Sequence, residues 1–471
     1  MLIKRYAYSL SLLLLSAFLC VSCLDKDENE FTLYDDTAIT SFGISAADIY
    51  KYTKASDNKT DSMYVESSTE VARYPFNIDH VKGLIYNTDS LPKGTDATKL
   101  LCTYSTINNG IPYIVDEKTD SMRILSATDS TDFSFPRRVD VFSSDFTSRR
   151  TYTIKVNVHQ EVADSFKWSR MADVPDFAAM DAVRCVYMDG KVFVAGKNAG
   201  NTYIYYTSLT DGNSWTKSNI VLGSTAYDNM VAANGNIWFL DGTAIRKSPD
   251  GECLETVAEV PSIRKLAGGN SKELYALSHE GNMMKSSDGG NTWTEDIIDD
   301  KNSLLPYSDM SCCVTKASFN KETDYILIAG SRDTEIYPEE KTSHVWRKII
   351  NKESGDTDKW SYIPFDSSNL YPMPRISNLS LIPYGNSFLA FGGAGIGGCD
   401  IPAYSTIYES RDWGITWKKN SIYHYPADFD KNSSSLAVTV DSNSNIWLIC
   451  SGTGNVWRGR LNRMGWIQNI D

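Results

Sequence analysis

Beyond Leu19 the sequence has no apolar run long enough to cross a bilayer, which excludes a helical span from the rest of the chain. It has no basic stripe either. Its 46 Lys and Arg face 59 Asp and Glu, a formal net charge of −13, and that balance excludes nucleic acid as a partner. The five histidines, His80, His159, His279, His344 and His424, show no zinc or metalloprotease spacing. No metal and no cofactor is expected. Cysteine is sparse: setting Cys20 and Cys23 aside from nine leaves Cys102, Cys185, Cys253, Cys312, Cys313, Cys399 and Cys450. That odd number excludes a fully paired disulfide framework, and the apolar runs around Cys185, Cys312, Cys313 and Cys450 suit buried free thiols. The glycine run Gly392–Gly398 opens no helix and lacks a closing Gly-Lys-Ser/Thr, so it reads as a loop and not a phosphate cradle.

What is present suits a large, sheet-rich core. Aromatics make up 12% of residues and hydrophobic residues 42%, with 27 Tyr and 11 Trp. At the N-terminus Lys4 and Arg5 precede the apolar run Tyr6 to Leu19, which is placed as a secretory signal. Val21-Ser22-Cys23 follows and resembles a bacterial lipobox, with Cys20 where that motif usually has Leu. The resemblance implies a signal peptide over 1–22 and lipidation of Cys23. The acidic stretch Leu24 to Glu30 resembles the surface-export signal of Bacteroidetes lipoproteins, and 23–34 reads as an acidic tether. An outer-membrane, lipid-anchored, surface-exposed protein is the expectation.

From 35 to 160 the pattern alternates. Ala38 to Ile44 reads as a first strand, and Tyr152, Ile154, Val156 and Val158 share one face of a last one. Strand-like runs lie between them near Arg73–Asp79, Leu100–Tyr104, Met122–Ser126 and Arg138–Phe142. Length and spacing suit one β-sandwich, and its opening and closing strings resemble the immunoglobulin-like domains of Bacteroidetes surface lipoproteins. The polar stretch 161–165 is the linker.

From 166 to 471 the chain repeats. Apolar second-strand runs recur at Val192–Ala195, Ile237–Leu240, Leu274–Leu277, Tyr325–Ala329, Phe388–Phe391 and Ile446–Ile449. A period of about forty residues is what a four-stranded blade requires. Two stretches share the pattern Ser-x-Asp-x-Gly-x-Thr-Trp: Ser286, Asp288, Gly290 and Trp293 carry one, and Ser410, Asp412, Gly414 and Trp417 the other. Asp and Ser oxygens bond the turn's own amides, Gly takes an angle that a Cβ resists, and Trp begins the next strand. Worn copies occur at Ser208–Trp215, with Thr210 at the Asp position, and at Ser248–Gly251. Ser354–Trp360 and Gly459–Trp466 keep little beyond the closing Trp. The chain here resembles the Asp-box β-propellers: sialidases, xyloglucanase-type glycosidases, sortilin-like receptors and photosystem assembly factors. The resemblance implies an all-β chain, an Ig-like sandwich followed by a six-bladed propeller, with seven blades the alternative. Trp168 either closes the ring beside the last blade or remains an extra strand if Trp466 takes that place.

In that fold Asp-boxes lie at the outer rim and ligands bind in a central funnel lined by the starts of the first strands. Those starts hold Arg184, Asp228, Arg264, Asp309, Arg375 and, less clearly, Lys431. Guanidinium forks bind carboxylates, and sialidases use three arginines so. Against catalysis, the Phe/Tyr-Arg-Ile-Pro motif of sialidases survives only as Pro374-Arg375-Ile376-Ser377. No nucleophile and base can be assigned. The leading expectation is a non-catalytic propeller that binds a polysaccharide, glycoprotein or surface protein. A glycoside hydrolase or lyase and an assembly factor are the alternatives. The charged insertion Asp333–Lys359 is a candidate contact surface.

Overall fold

A computed structural model of the chain describes residues 33–54, 61–116, 118–162, 164–317, 322–351 and 359–465. The signal, Cys20, Cys23, most of the tether, residues 354–358 and Trp466 lie outside the described residues. The chain forms two compact units that part after Val162.

In the first unit two sheets share one core. A three-stranded sheet orders Asp61–Ser68, Ile39–Lys54 and Leu101–Thr106. A six-stranded sheet orders Phe76–Asp79, Leu84–Asn87, Arg149–Lys155, Arg137–Phe142, Ile111–Val115 and Met122–Ile124. Ile39, Phe42, Ile44 and Cys102 from the first meet Ile85, Val139, Val141, Tyr152 and Ile154 from the second. The last strand ends at Lys155, while Val156 and Val158 beyond it still pack against the core with Tyr152 and Ile154. Asn87, buried, takes over there: its amide Oδ1 accepts from Asn157 N at 2.7 Å and its Nδ2 donates to Asn157 O at 2.9 Å. That side chain joins a backbone bridge from Leu91, whose N donates to Asn157 O at 2.8 Å and whose O accepts from His159 N at 2.9 Å. The strand expected from Arg73 begins only at Phe76, after a 3-10 turn over Glu70–Arg73 and then Pro75, which has no N–H to give a ladder.

The second unit holds six four-stranded antiparallel sheets among the described residues. Their first strands are Ala182–Met188, Met230–Ala233, Ile263–Gly269, Ser308–Lys316, Ser380–Tyr384 and Ser435–Val440. Each recurring apolar run falls in a second strand. The first strands contact one another in chain order, and the sixth returns to the first, so together they surround an axis. The sixth sheet takes its outermost strand, Phe166–Arg170, from the start of the unit, pairing Trp168 opposite Gly459. A Cβ on Gly459 would stand 2.5 Å from the Trp168 ring, so glycine lets the closing strand seat. Six hydrophobic clusters fill the six gaps between successive sheets.

The turns from third to fourth strand carry the repeated motif. Asp288 accepts from Thr292 N at 2.9 Å and from Thr292 Oγ1 at 2.7 Å, while Ser286 Oγ accepts from Gly290 N at 2.8 Å. Asp412, Thr416, Ser410 and Gly414 repeat this at 2.8, 2.6 and 2.9 Å. Hydrogen bonds from Thr292 hold the Asp288 carboxyl down at about 2. In the worn copy the aspartate role belongs to Asp211, one residue past Thr210, which accepts from Asn213 N and Ser214 N at 3.1 Å.

The motif glycine meets a second demand. Gly212, Gly251, Gly290 and Gly414 all have positive φ, and each faces the second strand of the preceding sheet. A Cβ would stand 2.6 Å from Trp447, 2.6 Å from Phe193, 3.3 Å from Trp238 and 2.7 Å from Leu327, respectively. The turn is therefore also a sheet-to-sheet contact.

Candidate functional site at the axis

First strands that converge on an axis bring their leading residues together. Four polar side chains there latch one sheet to the next by accepting a backbone N–H. Asn229 Oδ1 takes Leu266 N at 3.0 Å, Ser311 Oγ takes Leu381 N at 2.8 Å, and Ser435 Oγ takes Val183 N at 3.0 Å. Asp309, which expectation put in the ligand set, is the fourth. Its Oδ1 accepts from Asn378 N at 2.8 Å, and its own φ is 46°.

Arg184 and Asp228 meet, as residues on neighbouring sheets should. Arg184 Nε donates to Asp228 Oδ1 at 3.0 Å, and its Nη1 reaches Leu379 O of the fifth sheet at 2.7 Å. The guanidinium thus ties the first sheet to the second and to the chain entering the fifth. A third member, Lys265, was missed by sequence reasoning. Its Nζ donates to Asp228 O at 2.8 Å and pairs with Asp228 Oδ2. Lys265 is 6% exposed although it stands beside Arg264, which the sequence made conspicuous. The available signal was a Lys inside the apolar run Ile263–Gly269. Burial raises the Asp228 carboxyl, but the Arg184 and Lys265 charges outweigh it and hold the group below the ordinary carboxylate range. Burial pushes Lys265 down, opposed by Asp228.

The other arginines go elsewhere. Arg264 lies over the Tyr307 ring, 4.3 Å from its centroid, and donates to Tyr307 O at 3.1 Å. Burial lowers its guanidinium, against Tyr307 and Asp333. Tyr307 is 50% exposed, so this pair meets solvent. Arg375 is fully buried and pins the insertion instead: its Nη1 donates to Tyr337 O at 2.6 Å and its Nη2 to Arg332 O at 2.7 Å. Glu340 sits beside it, paired with Arg332 at 2.9 Å and 3.5 Å from His344 Nε2. Burial pushes the His344 imidazole down to about 4 despite Glu340. Lys431 is exposed in a turn. Three arginines therefore occupy three different surroundings and do not converge on one point.

Among the described residues no three His, Cys, Asp or Glu side chains are grouped to hold a metal, and the seven described cysteines are free thiols. Burial lifts Cys102 to about 11 and Cys450 to about 12, which keeps both protonated and unreactive at neutral pH.

Four-stranded sheets whose first strands ring an axis define a β-propeller, and residues 162–469 match the DUF6242 beta propeller domain. Residues 42–156 match the DUF6242 N-terminal domain, described as a domain of unknown function. The chain belongs to the DUF6242 family. No curated protein matches it. Among solved structures, similarity extends to the N-terminal domain of Nup159 at 9% identity and a TM-score of 0.31, covering 91% of this chain and 96% of that one. The calcium structure of a Trichoderma reesei carbohydrate-active enzyme of family AA12 has 8% identity and a TM-score of 0.39, covering 64% and 96%. Apo AztD from Citrobacter koseri has 9% identity and a TM-score of 0.30, covering 72% and 79%.

Proposed function

We propose that this chain is a non-catalytic recognition protein, anchored in the outer membrane through lipidated Cys23 and exposed at the cell surface. In this reading the second unit is a six-bladed propeller of the Asp-box type. The first unit is an immunoglobulin-like spacer. The propeller binds a polysaccharide, a glycoprotein or another surface protein.

One observation carries the preference for binding over turnover. The charges that would grip and activate a substrate at the axis are already spent: Asp228 on Arg184 and Lys265, Arg375 on backbone carbonyls. A carboxylate already held by two cations is poorly placed to change partners during a reaction. The Arg264–Tyr307 pair remains at the surface beside them, a cation on an aromatic face, which suits recognition.

The anchor is tested by feeding cells an alkyne fatty acid. Label on the wild-type chain and soluble release of Cys23→Ala are expected; equal membrane retention of that variant contradicts the anchor. Recognition is tested by glycan arrays and pull-downs with the mature chain. Indifference to every glycan and every envelope protein contradicts it.

A further inference from the structure

The fifth sheet's motif turn differs from the third's at its three variable positions, Ser287/Arg411, Gly289/Trp413 and Asn291/Ile415, and the middle one sets a bulky side chain where the other has glycine. Where the first motif has Gly289, at φ 69°, the second has Trp413, at φ 60°. Nothing but Trp238, at 3.9 Å, would touch a Cβ on Gly289, so the position itself makes no demand for a large side chain. A bulky residue in the left-handed region is a backbone outlier, and such outliers concentrate where a side chain has a task. Trp413 is held by stacking on Tyr325, with ring centroids 4.0 Å apart and planes at 26°, and by the edge-on Phe388 at 5.7 Å.

Trp413 and Phe388 form the aromatic wall of a groove of ≈ 240 Å³ between the fourth and fifth sheets. Thr315, Asn386 and Ser387 line it as neutral polar groups, with Lys316 alongside and no carboxylate among the lining residues. The Thr315 hydroxyl and the Asn386 amide have no hydrogen-bond partner among the described residues, and Ser387 Oγ, which donates to Tyr384 O at 2.9 Å, still has lone pairs to offer. An aromatic wall facing uncommitted amide and hydroxyl groups is the chemistry that holds a sugar ring. The ring's C–H face lies on the indole, and its equatorial hydroxyls exchange hydrogen bonds with the polar side.

We propose that this groove, away from the axial charges, is a carbohydrate subsite for a neutral β-linked pyranose, with Trp413 as its platform. It rests on the recognition reading above only for the class of ligand, since it uses none of the axial residues.

The test is tryptophan fluorescence of the mature chain titrated with cellotetraose, laminaritetraose and chitotetraose, beside Trp413→Gly. Gly restores the residue that the other motif carries and suits the positive φ, which offsets the lost stacking on Tyr325, so the variant should fold and melt within a few degrees of the wild type. Saturable quenching by at least one sugar, weakened at least tenfold in Trp413→Gly and unchanged in Arg264→Ala, is the expected result. A larger fall in melting temperature with Trp413→Gly, and no response of the wild type to any sugar, would make Trp413 a packing group and overturn the proposal. So would quenching by a proline-rich peptide alone. Sugar binding lost in Arg264→Ala but kept in Trp413→Gly would move recognition to the axis, overturning this subsite while leaving the wider reading intact.

Discussion

The motif turns and the axis of the second unit solve the same problem, joining one sheet to the next, by opposite means. At the turns every partner lies within a few residues: Asp288 bonds Thr292, Ser286 bonds Gly290, and the ring of Trp293 donates from Nε1 to Gly290 O. At the axis the partners are far apart in the chain. Arg184 reaches Asp228 and then Leu379, 195 residues away. Local hydrogen bonds tolerate wear, as the shift from Thr210 to Asp211 shows. A charge set with one anion between two cations is less forgiving, because losing Asp228 leaves both Arg184 and Lys265 without it.

The largest loss should therefore come from the axis. Asp228→Ala leaves Arg184 and Lys265 close together without their anion, and should cost roughly 3–5 kcal/mol in chemical denaturation. Trp417→Ala should rival it, at about 3–5 kcal/mol, because Trp417 is 2% exposed between the fourth and fifth sheets. Trp293 is only half-buried, so Trp293→Ala should cost less than Trp417→Ala. Equal losses at the two tryptophans would show that the motif, and not the burial, sets the cost.

A middle-sized effect should follow pH. His344 titrates near 6.5 when unfolded and at about 4 when folded. Between those values the unfolded chain binds the extra proton, so stability is complete above pH 6.5 and falls as pH drops towards 4. The full swing is about 3 kcal/mol, and His344→Phe should flatten the melting curve across that window. Asp288 acts lower: its contribution is present above pH 4 and is lost as pH falls towards 2. The smallest effect expected is that of Asp412→Ala, about 1–2 kcal/mol, since it removes turn hydrogen bonds and opens no cavity. A loss as large as that of Asp228→Ala would erase the distinction between turn and axis.

That distinction also explains what the sequence could show. The turn chemistry sits in eight consecutive residues, and apolar second strands recur at a readable period, so the turns and the repeating strands were legible. Arg184 and Asp228 were found because each stands at the entry to a first strand, Arg184 within Ala182–Met188 and Asp228 in the turn before Met230. Lys265 was passed over because its neighbour Arg264 looked the better candidate, and strand alternation alone does not say which of two adjacent cations faces the axis. Arg375 misled for a related reason. It stands just before a first strand, but the chain at Arg332 and Tyr337 folds back over it and accepts from both its terminal nitrogens. The second task of the motif glycines, close approach to the preceding sheet, was invisible for want of a neighbour in the sequence.

Binding without turnover is the central proposal. Its most direct test is to incubate the mature chain with the sialosides, xyloglucan and β-linked oligosaccharides used for binding, and to follow both complex formation and bond cleavage. Saturable binding of at least one glycan or a surface protein, with every glycan recovered whole, is the predicted result. Cleavage products that disappear in Arg264→Ala would contradict it.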